Sequence, residues 1–280
     1  MAVVAKIFHC GICVLKSGII PRNMTACGFP CNPEFEGMMK FDLHIHSCLS
    51  PCANLEMSPG EIVKRAVGAG MGGIALTDHQ SARNAPAIAE CARRAGLKCL
   101  YGLEVCTAEE VHTLALFDTP AQAMEMTGWI YDAMPKRVND PDVFGDQPVV
   151  TWDDDIVDME WRILALGCRK TIPEAAAKCR ELDGVYVAAH IDRPNFSVYS
   201  QLGGIPEKCF DAVELSRTAD ESVWLPKAQG YAVIRSSDAH NLDDVAKVWT
   251  EVETEDFSVS GLRSVFAAKS TLLSPRMTRF

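Results

Sequence analysis

The chain has 280 residues, a formal net charge of −10, 48% hydrophobic residues and 23% charged residues. This length suits one large α/β domain or two small ones, and the composition is typical of a globular protein rather than a disordered or fibrous one. The negative charge argues against a protein that binds nucleic acid mainly by bulk electrostatic attraction, because neutralising phosphates requires clustered lysine and arginine.

The cysteines and the apolar segments indicate the cellular compartment in which the protein is expected. Most of the 12 cysteines stand in apolar runs, where a thiol behaves as a small hydrophobic group. Because buried reduced cysteines are typical of a reducing compartment, we expect a cytoplasmic protein. His9, Gly11 and Lys16 interrupt the first apolar segment, so the sequence predicts neither a signal peptide nor a membrane span, and we expect no membrane partner.

Residues 1–37 differ from the rest because four cysteines stand among glycines and prolines without helical or strand periodicity. These cysteines are Cys10, Cys13, Cys27 and Cys31. One interpretation is a zinc ribbon, in which four thiolates hold Zn²⁺. The other, which the loose spacing favours, is that the native start is Met38 or Met39 and that residues 1–37 are a non-native or disordered extension. Residues 38–280 are then the folded domain.

From Met39 onward the predicted strands and helices alternate. Strands are predicted at 41–46, 74–77, 98–104, 111–117, 185–189, 212–215, 232–236 and 248–252. Helices are predicted at 59–70, 84–95, 119–134, 155–167, 173–182 and 260–269. Repeated βα units with short apolar strands indicate a parallel sheet covered by helices, and seven or eight such strands favour a barrel. The longest segment between two predicted barrel strands is an insertion at about 119–183, and residues that determine substrate specificity would most easily lie there.

Six of the seven histidines fall at the ends of predicted strands. They are His44, His46, His79, His112, His190 and His240. The active site of a βα barrel lies at the carboxyl ends of its strands, so we expect these side chains to converge on one rim. His112 begins its strand, and we predict that this strand runs antiparallel to the strand of Glu104 and returns His112 to the same rim. Glu104 ends an apolar strand, which is costly unless the carboxylate is paired or metal-bound.

Each of these motifs also has a purely structural interpretation. An HxH pair is often two half-buried strand residues, TDH can cap a helix, and SSDAH can form a turn. Together, however, the histidines and carboxylates predict a metal cluster. Ligands of these types suit Zn²⁺, Mn²⁺ or Fe²⁺ rather than Ca²⁺ or Mg²⁺, which prefer oxygen ligands.

Five motifs follow one another as HIHS, TDH, GLE, AAH and SDAH, at residues 44–47, 77–79, 102–104, 188–190 and 237–240. With His112 after GLE, this order resembles the PHP family, the polymerase and histidinol-phosphatase metal-dependent phosphoesterases. The resemblance covers residues 39 to about 245. It implies an α/β fold, a distorted (β/α)₇ barrel, with two or three divalent metal ions (Zn, Mn or Fe). It also implies a hydrolase that cleaves a phosphate ester with metal-activated water.

The resemblance also implies a ligand set for three metal sites. The sites would be held by His44, His46, Glu104 and Asp238; by Glu104, His112 and His190; and by His79, His240 and one further ligand. Where relatives carry that further ligand, as Asp or His, this sequence has Pro51 and Cys52. Cys52 either coordinates as a thiolate, which would favour Zn²⁺ or Fe²⁺, or is a buried structural thiol, the commoner role of cysteine.

Further residues are predicted to assist the reaction. Asp78 and Asp238 are expected to orient water or the ligating histidines, with Asp78 acting from behind the ligands. A substrate phosphate also needs a cation, and Arg193 is our first choice because it follows His190 closely. Arg217 and Arg235 also stand near rim motifs. For each of these arginines, a solvated surface position is the alternative.

Two features of the insertion have competing interpretations. The acidic run at 153–155 resembles a metal site, but we predict that it lies in the exposed first turn of the helix at 155–167. Trp129, Trp152 and Trp161 either cover the mouth of the pocket or pack in the core.

Three functions remain open. The favoured one is a phosphatase acting on a small phosphorylated metabolite or nucleotide. The second is a nuclease or phosphodiesterase acting on short nucleic-acid ends, since the net charge counts against long duplexes. The third is a non-catalytic metal-binding module, against which the near-complete ligand set argues.

Overall fold

The computed structural model describes residues 38–275, so both interpretations of residues 1–37 lie outside the described residues. The strands are β1 (Met39–Ile45), β2 (Gly73–Leu76), β3 (Lys98–Cys106), β4 (His112–Phe117), β5 (Pro148–Val150), β6 (Ile156–Met159), β7 (Val185–Ala188), β8 (Ala212–Leu215), β9 (Ala232–Arg235), β10 (Thr250–Val252) and β11 (Leu272–Leu273). The helices are α1 (Pro59–Gly68), α2 (Ala85–Ala95), α3 (Pro120–Tyr131), α4 (Pro141–Phe144), α5 (Ile172–Glu181), α6 (Val198–Leu202), α7 (Glu221–Trp224) and α8 (Val259–Ala268).

Among residues 38–275, nine strands form one curved sheet in the order β11-β10-β1-β2-β3-β4-β7-β8-β9. The pairs β1–β2, β2–β3, β7–β8 and β8–β9 are parallel, whereas β4 is antiparallel to both β3 and β7. The sheet curves until its two sides approach: Ile45 bridges to Ala239 just beyond β9, and His46 N donates to Ala239 O at 3.0 Å. The predicted distorted (β/α)₇ barrel is therefore confirmed, with β4 reversed among its seven strands and β10 added antiparallel to β1.

The reversed strand is the one that the sequence predicts from the position of His112. In the β3–β4 ladder, Cys106 pairs with His112 and Gly102 pairs with Leu116. The backbones approach closely here, because a Cβ built on Gly102 would lie 2.2 Å from Ala115 O. The short connection returns the chain to the same rim, as predicted.

In the part of the chain that the structure describes, the buried hydrophobic residues form three clusters. One joins side chains from opposite sides of the barrel, including Leu43, Leu114, Val187 and Ile234, together with Leu262 of α8. Because these strands are not all neighbours, this cluster fills the barrel interior. The other two clusters lie between the sheet and the surrounding helices, one under α1 and α2 and the other under α3 and α5. This packing buries both faces of the sheet, as parallel sheets require.

Local capping accounts for where the helices begin. Ser58 Oγ accepts from Glu61 N, and Pro59 occupies the first turn of α1. Thr171 and Glu174 form a capping box at the start of α5. Within residues 38–275, none of the helices is long and apolar enough to cross a membrane.

The predicted helix at 155–167 is wrong. Residues 148–159 form the antiparallel hairpin β5–β6, and the acidic run at 153–155 lies in its turn rather than in a helical first turn. The turn is closed locally, because Thr151 Oγ1 accepts from Asp155 N at 3.1 Å. Of the three tryptophans, Trp129 packs against the core, whereas Trp152 and Trp161 are 41% and 44% exposed.

Candidate metal centre

The end of β1 presents two imidazoles to the inside of the rim, because alternate strand residues share a face. His44 Nε2 and His46 Nε2 lie 3.1 Å apart. The carboxylate of Glu104 approaches them at 3.3 and 3.4 Å, and Asp238 Oδ1 approaches them at 3.4 and 3.3 Å. All four side chains are buried. Side chains as far apart in sequence as His44 and Asp238, 194 residues, thus meet at one point.

Three of these donors, His44, His46 and Asp238, fit a common metal ion. Bonds of about 2.0–2.1 Å in a tetrahedral site would separate the ligand atoms by about 3.3 Å. The separations among His44 Nε2, His46 Nε2 and Asp238 Oδ1 are 3.1–3.4 Å and agree with that value. Glu104 approaches each histidine with a different carboxylate oxygen. The other ring nitrogens are held from behind, His44 Nδ1 by Glu214 and His46 Nδ1 by Ser50, so both Nε2 atoms are directed at the same point.

The charges at this point also favour a cation. Burial by itself would lower the pKa of His44, but the carboxylates of Glu214, Asp238 and Glu104 outweigh it and raise the pKa well above its ordinary value. Burial and the neighbouring His240 and His79 instead lower the pKa of His46. Three buried carboxylates around His44 favour positive charge here, which a bound metal ion would supply.

Glu104 is the central carboxylate. Its Oε1 lies 2.9 Å from His112 Nδ1 and 3.1 Å from His190 Nε2, and its Oε2 lies 2.9 Å from His79 Nδ1. Burial would raise the pKa of Glu104, but His112, His44 and His79 lower it well below its ordinary value. An ionised carboxylate with both oxygens shared among imidazoles is suited to bridge two ions.

A further cluster lies on the other side of His46. Ligand atoms of His46, His79 and His240 lie within 4.8 Å of one another, and the rings of His46 and His240 stack with centroids 4.2 Å apart. Burial would raise the pKa of the nearby Cys52, but hydrogen bonding to His240 and His79 and the charges of these two imidazoles lower it to about 6. Coordination by Cys52 stays a prediction. The residue is exposed, unlike a cysteine of the core.

Asp78 lies behind the ligands rather than among them. It is buried and accepts hydrogen bonds from Ser47 N at 2.7 Å, Ser47 Oγ at 2.6 Å and Ser50 Oγ at 2.7 Å. Ser50 Oγ in turn contacts His46 Nδ1 at 3.0 Å and accepts from His79 N at 3.1 Å. Asp78 thus supports the imidazole of His46 and the backbone of His79 through Ser50, whereas Asp238 lies in the centre itself.

Sequence analysis did not identify Glu214, which lies directly behind the centre. Its carboxylate contacts His44 Nδ1 at 3.0 and 3.2 Å and accepts from His190 N at 3.1 Å. The sequence did contain an indication of a buried, partnered carboxylate, because Glu214 interrupts the apolar strand AVEL as Glu104 interrupts YGLEV. A buried carboxylate in a strand requires a partner in either case. Ser50 carried no comparable signal.

The backbone at the rim adopts uncommon conformations. Gln80, His190 and Asp238 have positive φ values of 56°, 26° and 49°, and each lies at or directly after a histidine or aspartate motif. Such conformations cost about 1–3 kcal/mol each and persist where the surroundings over-determine them.

A pocket of about 650 Å³ opens beside His112 and His190. Arg193 and Arg217 line it; Arg193 pairs with Asp238, and Arg217 Nη1 lies 2.5 Å from Asp244 Oδ2. Two of the three candidate phosphate-binding arginines therefore face the pocket next to the centre.

Arg235 does not face this pocket. It is fully buried and donates to Ser274 O at 2.6 Å and to Glu221 Oε1 at 2.8 Å. Its short distance in sequence from the SDAH motif is misleading, because its neighbour Ile234 packs in the barrel interior and successive strand residues face opposite sides of the sheet. Arg235 stabilises the barrel and is unavailable to a substrate.

Comparison with known families agrees with this geometry. The PHP domain matches residues 42–166, and the PHP-associated region matches residues 227–271. The chain belongs to the PHP family. This family comprises metal-dependent phosphoesterases, which are hydrolases acting on phosphoric ester bonds. No curated protein sequence matches the chain.

Solved structures with the same fold are distant in sequence. The lesion-specific endonuclease PfuEndoQ from Pyrococcus furiosus has a TM-score of 0.61 and 18% identity, covering 84% of this chain and 57% of that protein. Endonuclease Q in complex with a 27-mer duplex containing an abasic lesion has a TM-score of 0.61 and 19% identity, with coverages of 81% and 56%. A proposed metal-dependent phosphoesterase from Bifidobacterium adolescentis has a TM-score of 0.51 and 19% identity, with coverages of 71% and 87%.

At these identities the likeness establishes the PHP-type fold. The chain spans less than two thirds of the length of the two endonuclease structures. The shared fold therefore assigns neither the activity nor the substrates of the whole endonuclease to this chain.

Proposed function

We propose that this PHP protein removes phosphate from a small phosphorylated metabolite or nucleotide. The observation that carries the proposal is the convergence of Glu104 and Asp238 on His44 and His46, at 3.3–3.4 Å from their Nε2 atoms, beside a pocket that Arg193 lines. A volume of about 650 Å³ suits a metabolite.

The donor set supports two or three divalent ions, with Zn²⁺, Mn²⁺ or Fe²⁺ as candidates. The proposed sites comprise His44, His46, Glu104 and Asp238; Glu104, His112 and His190; and His79, His240 and Cys52. Bound divalent ions would supply Lewis acidity toward the phosphate oxygens and lower the pKa of water.

The protein side chains have distinct proposed roles. Arg193, half-exposed at the rim and paired with Asp238, would hold a phosphate oxygen with its planar guanidinium group. Asp238 would orient the attacking water as well as bind metal. Asp78 would fix the orientation of His46 and His79 through Ser50.

A second candidate function is cleavage of short nucleic-acid ends. The observation that favours it is the shared fold with endonuclease Q, which binds a 27-mer duplex. The net charge of −10 counts against a long duplex substrate here. The same centre would serve either reaction, since both cleave a phosphate ester.

The test is hydrolysis of p-nitrophenyl phosphate and of bis(p-nitrophenyl) phosphate by protein loaded with Zn²⁺ or Mn²⁺. Preference for the monoester supports the first function, and preference for the diester supports the second. His46→Ala and Glu104→Gln should lose bound metal and at least 100-fold in activity. The exposed Glu207→Gln serves as the matched control and should change neither. Unchanged metal content and activity in His46→Ala would refute the proposal.

A further inference from the structure

An exposed aromatic ring stands beside the metal centre. Phe196 lies in the loop between β7 and α6, is 44% exposed, and lines the pocket together with Arg193. One side of its ring stacks on the imidazole of His112, with centroids 4.7 Å apart and an interplanar angle of 16°. The ring is thus supported from behind and exposes apolar surface to a polar pocket, where burial would normally be favoured.

The loop holds this ring in place at an energetic cost. Phe196 has a φ of 55°, which is uncommon for a bulky residue and costs about 1–3 kcal/mol. Its carbonyl accepts from His112 N at 2.8 Å, and Ser197 Oγ donates to Arg193 O at 2.8 Å. Arg193 N also donates to His190 O at 3.0 Å. The aromatic ring, the phosphate-binding arginine and two imidazoles of the centre therefore form one braced unit.

We propose that Phe196 is a stacking platform that selects phosphate esters whose alcohol part carries a planar aromatic ring, such as a nucleobase. The inference rests on the proposed function, because it takes the phosphate to lie between Arg193 and the metal centre. His112 contacts both Glu104 of the centre and the Phe196 ring, so a ring one sugar away from the phosphate would reach Phe196. Stacking accepts any base, because every base has a π face.

The rest of the pocket is polar. Asn195, Ser216 and Thr218 line it and offer donors and acceptors to the edge of a stacked ring. A purely aliphatic phosphate would use Arg193 and the metal centre but would leave the aromatic surface unused. The platform therefore predicts discrimination between two substrate types that share the same reacting phosphate.

The experiment compares adenosine monophosphate with glycerol phosphate, using metal-loaded wild type, Phe196→Leu and Phe196→Tyr. We expect Phe196→Leu to raise the KM for adenosine monophosphate about tenfold, with kcat and metal content within about twofold of wild type. The KM for glycerol phosphate should change by less than about twofold. Phe196→Tyr should retain the wild-type preference, because it keeps the ring.

If Phe196→Leu raises the KM equally for both substrates, Phe196 only supports His112. If it changes the KM for neither substrate, the ring is not used. Either result overturns the proposal. If wild type hydrolyses no phosphate ester, the proposed function fails, and binding of etheno-AMP then tests the platform alone. The platform is supported if wild type and Phe196→Tyr quench the fluorescence of etheno-AMP and if Phe196→Leu binds it about tenfold more weakly. Absence of binding by the wild type overturns it.

Discussion

Glu214→Gln should weaken metal binding without disturbing the fold. Glu214 touches no proposed metal-binding atom, but its carboxylate contacts His44 Nδ1 at 3.0 Å and accepts from His190 N at 3.1 Å. Glutamine has the same shape, and its amide oxygen can keep the position of Glu214 Oε1. The substitution therefore removes mainly the negative charge that makes His44 a stronger ligand.

The magnitude follows from the change in hydrogen-bond type. A charge-assisted hydrogen bond contributes about 1.5–3 kcal/mol and a neutral one about 0.5–1.5 kcal/mol. The loss of about 1–1.5 kcal/mol corresponds to a Kd for Zn²⁺ about tenfold higher, since about 1.4 kcal/mol is a factor of ten. Glu214→Leu should have a larger effect, because it leaves His44 Nδ1 and His190 N buried without an acceptor. The Kd should then rise about 100-fold, and unfolding should be easier by about 2 kcal/mol or more.

The assay is competition for Zn²⁺ against a chromophoric chelator, with Glu207→Gln as the exposed control. A second readout is the titration of His44 in metal-free protein by NMR. Glu214 is among the carboxylates that raise the pKa of His44, so removing its charge should lower that pKa. If Glu214→Gln binds Zn²⁺ as tightly as Glu207→Gln and leaves the His44 titration unchanged, the assignment of Glu214 as a positioning residue is wrong.

Three further predictions concern other parts of the chain. In metal-free protein, alkylation of Cys52 by iodoacetamide, followed by mass spectrometry, should accelerate as pH rises through about 6, because the thiolate forms there. Zn²⁺ should protect it, and equal rates with and without Zn²⁺ would show that its sulfur is not a ligand. Denaturant unfolding should show that Gly102→Ala costs about 3 kcal/mol or more, because a Cβ would lie 2.2 Å from Ala115 O. Gly68→Ala, with nothing within 4 Å, should change stability by less than about 1 kcal/mol. Arg235→Met should cost about 2 kcal/mol or more, since buried carbonyls lose their donor, and an unaltered unfolding midpoint would contradict this.

Much of the centre was predictable because its signals are local. Alternation along β1 places His44 and His46 on one face, and the carboxyl ends of parallel strands must share a rim. The reversal of β4 followed from the short step between Glu104 and His112, which only an antiparallel pair can span. These inferences required no knowledge of which strands lie opposite one another.

The errors arose where sequence distance was used in place of spatial position. Arg235 lies close to Asp238 in sequence, yet its side chain is buried against Ser274 and Glu221 on the far side of β9. The segment at 155–167 was predicted as a helix, but the turn that Thr151 closes favours the hairpin β5–β6. Local hydrogen bonding and tertiary packing outweighed helical periodicity there.

The amino-acid sequence by itself determined the PHP motif set, the alternation of strands and helices and the identity of the histidines and carboxylates that meet at the rim. These depend on strand periodicity and on rules of chain connection that hold in any βα barrel. Only the tertiary structure decided that Glu214 supports His44, that Asp78 acts through Ser50, and that Phe196 stacks on His112. These contacts join strands and loops far apart in sequence, and their distances depend on how the whole sheet curves.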